Sequence, residues 1–286
     1  MTSRLAAFRQ GLKEIGLVEG ENVTIIYRWA EDRGDRLPEM ASELARQATV
    51  IVTAGGPPAA FAAKAATRTT PIIFLIGEDP VRLGLVTTLA RPSGNLTGVN
   101  MLVNELEAKR FHLFHQLVPQ AQRIAVFVNL DNVIYAERTL RDVEAVARTI
   151  GLQLQVIKAK SAREIEEGFA WSERQRPDAL FVGASPFFNI RRVQLVQLAA
   201  FHRLPATYAQ RDAAQAGGLM TYGPSILEGY RQGGVYAGRL LKGEKPGDLP
   251  VMQSTKFDLV INNTTARMFC LTVPPSLLAI ADEVIE

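Results

Sequence analysis

The sequence predicts an α/β protein made of two doubly wound parallel-sheet lobes joined by a hinge. Strand-like apolar runs alternate with amphipathic helical runs along most of the 286 residues, the pattern of parallel sheets covered on both faces. The tripeptide Ile-Gly-Leu occurs twice, at Ile15-Gly16-Leu17 and at Ile150-Gly151-Leu152. Each copy ends a helical face: Leu5, Phe8, Leu12 and Ile15 in one case, Leu140, Val143, Ala147 and Ile150 in the other. Each glycine stands where a helix needs a left-handed stop, and each copy leads into an apolar run, at 23–27 or 154–157. The chain therefore reads as two similar lobes in tandem.

In the first half, strands are expected near 23–28, 49–54, 71–76 and 96–99, with helices near 3–15, 36–47, 57–67 and 79–90. In the second half, strands are expected near 123–128, 153–158, 178–183, 205–208 and 218–222. Helices there fall near 104–117, 133–149, 162–175, 189–202 and 224–241. Pro177-Asp178 marks a helix-to-strand turn. The last helix shows an apolar face of Ile226, Tyr230, Ala237 and Leu241, closed by Gly243 and Pro246. A final strand is expected at 257–261. One lobe spans 1–100 with about 223–250, the other 101–222 with about 251–286, with a crossover near 99–103.

Comparing the halves exposes an anomaly. The run 124–128 precedes the helix that ends in the second Ile-Gly-Leu, whereas three residues precede the helix of the first copy. A doubly wound lobe places its first strand centrally, so the first strand of lobe one is expected to be missing.

Composition bounds the function. Hydrophobic residues make up 47% of the chain, enough for two cores of ordinary size. No run approaches the ~20 apolar residues of a membrane span, and Met1-Thr2-Ser3-Arg4 carries no apolar export segment. The net charge is +3 with scattered basic residues, which fits a solvated surface rather than a nucleic-acid footprint. The single cysteine, Cys270, lies in Met268-Phe269-Cys270-Leu271, a context that predicts a buried, inert thiol.

Open α/β sheets bind ligands beyond the carboxyl ends of their strands. After 50–52 come Gly55, Gly56 and Pro57, where a glycine-rich turn enters a helix. This is either a tight turn or an anion site made of free N–H groups. It lacks the residues of a phosphate P-loop, so a carboxylate suits it better than a nucleotide. Asp79 follows the next strand and either caps a helix or meets a cationic ligand group. Asn129, Ser185, Phe187, Tyr208 and Tyr222 fall at strand ends in the second half. Aromatics gathered there form either a hydrophobic patch under a loop or a slot for an apolar side chain. Burying an aromatic side chain of ~200 Å2 stabilises by roughly 5 kcal/mol, against ~0.3–2 kcal/mol for a carboxylate at a helix end. A slot would thus supply affinity and a helix end orientation. His112 and His115 have no companion ligands for a metal. No nucleophile elbow or paired-carboxylate motif appears, so neither an enzyme nor a cofactor is expected.

Several blocks in order resemble one family. They include Gly16-Leu17-Val18-Glu19-Gly20-Glu21-Asn22-Val23, Tyr27-Arg28-Trp29-Ala30-Glu31 and Ala90-Arg91-Pro92-Ser93-Gly94-Asn95-Leu96-Thr97-Gly98. Gly217-Gly218-Leu219-Met220-Thr221-Tyr222-Gly223-Pro224 and Lys256-Phe257-Asp258-Leu259-Val260-Ile261-Asn262 continue the series. Together they resemble the TrpX-like substrate-binding proteins of ABC transporters. The resemblance implies a type I periplasmic-binding-protein fold with a hinged cleft. It implies a protein exported or lipid-anchored outside the inner membrane that delivers a small, amino-acid-like ligand to a membrane permease. Aromatic amino acids are ligands in part of that family. By position, Gly55, Gly56 and Pro57 would face an anion, and Asp79, Asn129, Ser185, Tyr208 and Tyr222 would line the cleft. The sequence departs from the family at its front, where members carry an export signal and a short strand. An effector-sensing module of a transcriptional regulator is the competing reading of the same fold. It requires a DNA-binding segment ahead of the first lobe, and three residues do not supply one.

Overall fold

The computed structural model describes residues 2–31, 33–92, 94–101, 106–130 and 133–286. In chain order the elements begin α1 (Thr2–Glu14), α2 (Leu37–Gln47), β1 (Ile51–Thr53), α3 (Pro57–Ala66), β2 (Ile72–Ile76) and β3 (Leu96–Asn100). They continue α4 (Glu107–Leu117), β4 (Arg123–Val128), α5 (Val133–Ile150), β5 (Gln153–Lys158), α6 (Ala162–Gln175) and β6 (Ala179–Val182). Then come α7 (Pro186–Ile190), α8 (Arg192–Phe201), β7 (Ala206–Tyr208), α9 (Arg211–Gln215), β8 (Met220–Pro224) and α10 (Ile226–Leu241). The chain closes with β9 (Met252–Gln253), β10 (Phe257–Asn262), α11 (Asn263–Met268), α12 (Pro275–Ile280) and β11 (Glu283–Ile285). It divides into two compact units, Met1–Leu102 with Ser225–Lys256 and Val103–Pro224 with Phe257–Glu286. Residues 102–105, within the expected crossover and the start of the 104–117 helix, lie outside the described residues.

Unit 1 holds a parallel sheet in the order β1-β2-β3-β9. Its central strand, Ile-Ile-Phe-Leu-Ile, is buried at every position, as a strand covered on both faces must be. Helices α1 and α10 pack at backbone distance. A Cβ on Gly11 would lie 1.9 Å from the Arg231 carbonyl oxygen, and one on Gly234 2.1 Å from that of Phe8. Glycine is required at this crossing because any side chain would push the helices apart. Glu14 and Arg231 pair across it. The buried face of α10 is thus the row Gly229, Gly233, Gly234, Ala237 and Gly238 with Tyr236 and Leu240. This corrects the expected face: Leu241 is exposed, and Ile226 and Tyr230 are half-buried, because close helix approach selects small residues rather than the most apolar ones.

Two expected elements of unit 1 do not form. The run 23–28 contributes only the isolated bridge Glu19–Val23, and no backbone hydrogen bond ties 24–29 to another described residue. Its counterpart in unit 2, β5, is laddered to β4. Among the described residues unit 1 has no strand in the place of β4, so the run 24–29 stays extended without a ladder. Side chains hold it instead: Arg9 bonds Glu19 and Tyr27, Arg28 pairs with Glu43, and Tyr27 stacks on Trp29 with ring centroids 6.0 Å apart. The helix expected at 79–90 is a single turn. Gly84 adopts φ +71° and Leu85 N–H returns to the Pro80 carbonyl at 2.9 Å, a left-handed stop that turns Leu85 and Val86 into the core.

Unit 2 holds a seven-stranded sheet in the order β11-β10-β8-β7-β6-β4-β5. All pairs are parallel except β10 with β8. Strand alternation sends Ile124, Val126 and Phe181 to one core and Ala125, Phe127 and Leu180 to the other. The two Ile-Gly-Leu turns match: Gly16 has φ +80° and Gly151 φ +75°, and the following leucines donate to Leu12 and Ala147 at 3.0 and 2.8 Å. Ser161 caps α6 by accepting from Glu164 N–H at 3.2 Å, and the Glu164 carboxylate reaches back to accept from Lys160 N–H at 2.7 Å. The helix expected at 189–202 divides into α7 and α8, each with its own start.

Cys270 is exposed, which corrects the expected buried thiol. It follows α11 in a left-handed conformation, φ +56°, while Leu271 N–H bonds the Ala266 carbonyl at 2.9 Å. That turn packs Phe269 and Leu271 on the core and points Cys270 outward.

Candidate functional site

The carboxyl ends of β1 and β2 carry the unit 1 candidates. Gly56 is the N-cap of α3 with φ +78°, a conformation that suits glycine, and no side chain caps the helix. Pro57 and Pro58 carry no N–H, and Ala60 N–H bonds the Gly56 carbonyl at 3.3 Å. The donors left at this helix end are therefore the amides of Gly56 and Ala59, with Gly55 exposed beside them; Pro57 shapes the turn and cannot hold an anion itself. The Asp79 Oδ1 accepts from Val81 and Arg82 N–H at 2.9 and 3.2 Å, so it caps the single turn that replaces the expected helix.

Two residues here were not singled out from the sequence. Thr53 is 7% exposed and its hydroxyl finds no partner. Glu78 is half-buried, and burial pushes its carboxyl pKa above the ordinary value despite hydrogen bonds from its own backbone and that of Gly77. Both follow the strand-end rule that found Gly55 and Asp79; the signal was present one or two residues away.

In unit 2 the carboxyl ends of β6 and β7 form a recess. It is lined by the run 182–185 together with Phe188, Asn189, Arg192, Tyr208 and Gln210 among others. The Ser185 Oγ caps α7 by accepting from Phe187 N–H at 3.2 Å. Tyr208 is 4% exposed, and burial alone pushes its hydroxyl pKa upward, with no hydrogen-bonding group offsetting it. The recess leaves about 20 Å3 for water-sized occupants, room for one water rather than an amino acid side chain. The recess by itself does not hold an amino acid side chain.

Within unit 2 the structure brings Ser185 and Tyr208 together at the recess. Tyr208 and Tyr222 lie within β7 and β8 rather than beyond them, because β8 runs to Pro224. Tyr208 packs in the core with Phe127, whereas Tyr222 packs in the other one with Leu259. They stand on opposite faces of one sheet and do not build a common slot. Tyr222 is 7% exposed, beside Phe257 with the Lys109 ammonium 5.0 Å from its ring centre. Phe187 is half-buried against Phe188, 5.4 Å between ring centres, and it is Phe188 that reaches the recess. Asn129 is buried and donates to the Ala159 carbonyl at 3.1 Å, bridging the ends of β4 and β5. Gln210, Asn189 and Arg192 were missed because they lie further along the chain, Gln210 at the start of α9, Asn189 within α7 and Arg192 at the first position of α8.

The remaining chemistry is sparse. Among the described residues, no group of three or more His, Cys, Asp or Glu is placed to hold a metal, and no helix is long and apolar enough to cross a membrane. Sequence comparison gives the site its context. The family model for ABC transporter substrate-binding proteins matches residues 1–285. The chain belongs to that family. As an ABC substrate-binding protein it is similar to a tyrosine-binding protein of Clostridioides difficile, 24% identical over 91% of this chain and 74% of the relative. A conserved domain protein of Vibrio cholerae superposes with a TM-score of 0.86 at 25% identity, covering 98% of this chain and 95% of its own. An ABC domain from Streptococcus pneumoniae, solved in complex with L-Trp, superposes at 0.82 with 24% identity, covering 99% and 96%. The substrate-binding protein thus has the two-lobe α/β architecture of periplasmic-binding-protein-like structures.

Proposed function

We propose that this substrate-binding protein captures an amino-acid-like ligand, with an aromatic side chain favoured, and delivers it to an ABC permease from outside the inner membrane. The observation that carries the proposal is the set of polar groups at the strand ends of each unit. Unit 1 offers the Gly56 and Ala59 amides and the Glu78 carboxyl; unit 2 offers the Tyr208 hydroxyl beside Ser185 in a recess too small to hold a ligand alone. A zwitterion presents the complementary set: a carboxylate for the α3 amides and an ammonium for Glu78 or Asp79. The ligands of two similar proteins, tyrosine and L-Trp, support the aromatic class. Retention would come from hinge closure, since a ligand touching both units favours the state in which both touch it.

Calorimetric titration with L-Trp, L-Tyr, L-Phe, L-Leu and L-Ile tests this. Saturable heat from an aromatic member, with weaker heat from the branched ones, is expected. Heat from none of them, with saturable binding of a sugar or an inorganic anion, overturns the ligand class.

A further inference from the structure

Glu107 and Arg110 are each 1% exposed at the side chain and face each other at 2.6 Å in the first turn of α4. Burying a pair of charges is costly, and the Arg110 Nε and Nη1 have no partner. Net stability is therefore a poor reason for the pair. Its other contacts give a better one. The Arg110 Nη2 donates to the Val182 carbonyl at 2.8 Å, and the Glu107 Oε1 accepts from Ala184 N–H at 3.1 Å. Between them, Gly183 N–H bonds the Phe127 carbonyl at 2.9 Å. The guanidinium also lies 4.2 Å from the centre of the Phe181 ring. At this point β6 leaves the sheet: its register with β7 ends at Phe181 and with β4 at Val182. Strand ends leave polar groups to be satisfied, and here three consecutive residues are gripped in turn. Those same residues, 182–184, run into Ser185 and line the recess under Tyr208.

We infer that the Glu107–Arg110 pair is a positioning device that sets the strand-exit turn 182–185 and, through it, the unit 2 wall of the ligand site, an inference that rests on the binding function proposed above. Neither residue lines the recess, so both act through the turn.

The test compares wild type with Glu107→Gln, Arg110→Lys and the apolar double variant Glu107→Leu/Arg110→Met. Hydrogen exchange of amides 183–188 and calorimetric titration with L-Trp and L-Tyr are the readouts, with thermal unfolding as the control for folding. The double variant is expected to melt within a few degrees of wild type, because apolar replacement of a buried pair is often neutral or stabilising. Its Ala184, Ser185 and Phe187 amides should exchange at least tenfold faster and its ligand affinity should fall at least tenfold, with β7 amides unchanged. Arg110→Lys, which leaves the Glu107 acceptor for Ala184 N–H and its countercharge in place, should keep slow exchange at Ala184 and most of the affinity; Glu107→Gln, which leaves the buried Arg110 charge without its carboxylate, should not. Unchanged exchange at 183–188 in the double variant overturns the inference, as does faster exchange with unchanged affinity. If the double variant does not fold, the contrast between Glu107→Gln and Arg110→Lys decides, and equal behaviour of the two overturns the inference. If wild type binds neither amino acid, the ligand class fails while the exchange data still decide whether the pair sets the turn.

Discussion

The two units answer the same sequence pattern in different ways. In each, a helix ends in Ile-Gly-Leu and an apolar run follows. In unit 2 that run is β5, held by its ladder to β4 over six registered residues. In unit 1 the run 24–29 has no ladder and is held by Arg9, Glu19, Tyr27, Arg28 and Glu43. The comparison teaches that an apolar, β-branched run specifies an extended chain, while a strand also needs a neighbour to accept its hydrogen bonds. Side-chain contacts at an exposed surface contribute about 0–1 kcal/mol each, so the two runs should differ greatly in local stability.

Amide exchange is the most sensitive way to break this comparison. The laddered amides of β5 should be protected by a factor on the order of 1,000 or more over those of 24–29, which should exchange near the open-chain rate. Equal protection would mean that 24–29 has a backbone partner after all. Next in size is Gly234→Leu, which drives a side chain into the Phe8 carbonyl. Overpacking of this kind costs about 3 kcal/mol, and calorimetry should show the unit 1 transition falling while unit 2 holds. Gly168→Ala is the matching probe in unit 2. Its Cβ would lie 2.7 Å from Ile157 Cγ2 and Phe127 Cζ, side-chain atoms that can yield, so a loss of about 1–2 kcal/mol confined to unit 2 is expected.

A smaller test sharpens the likeness rather than the difference. A Cβ at Gly16 or Gly151 meets nothing within 4 Å, so Gly16→Ala and Gly151→Ala should each cost only the backbone strain, about 1 kcal/mol, and by similar amounts in urea unfolding. A marked inequality would show that the two turns are not equivalent. The smallest effect is electrostatic. The Arg231 hydrogen bond holds the Glu228 carboxyl down to about 2 from 4.5. A depressed carboxylate stabilises the fold above its unfolded value, and this contribution is lost as pH falls from 4.5 towards 2. The pair is about a third exposed, so solvent reduces the effect to roughly 1 kcal/mol or less. Glu228→Gln should flatten the pH dependence of unit 1 stability in that window and leave unit 2 unchanged.

Much of the fold was legible because parallel sheets write themselves as buried runs: Ile72–Ile76 and the run 124–128 announce central strands. Terminal glycines marked both Ile-Gly-Leu turns. What failed had particular causes. Gly84 looked like an interior helix residue and is a stop. The face expected for α10 was read from its large apolar residues, whereas its glycines form the packing face. Cys270 sits among apolar residues, yet its left-handed backbone turns it out. The strand-end rule picked out Ser185 and Tyr208, which line the unit 2 recess, and Gly56, which starts α3. It could not say which sheet face Tyr222 takes, since that parity depends on where β8 begins. The Glu107–Arg110 pair left no trace, because a Glu-x-x-Arg spacing on a helix ordinarily reads as a surface ion pair.

The meeting of α1 with α10 has a consequence for biosynthesis. Helix α1 finds its partner only after residue 241 has been made, and the unit 1 sheet gains its edge at Met252–Gln253. At about 5–20 residues per second, the opening segment waits on the order of ten seconds or more with its glycine crossing uncovered. Unit 1 therefore cannot close until α10 and β9 have been made, and its early segments stay pliable through the synthesis of unit 2.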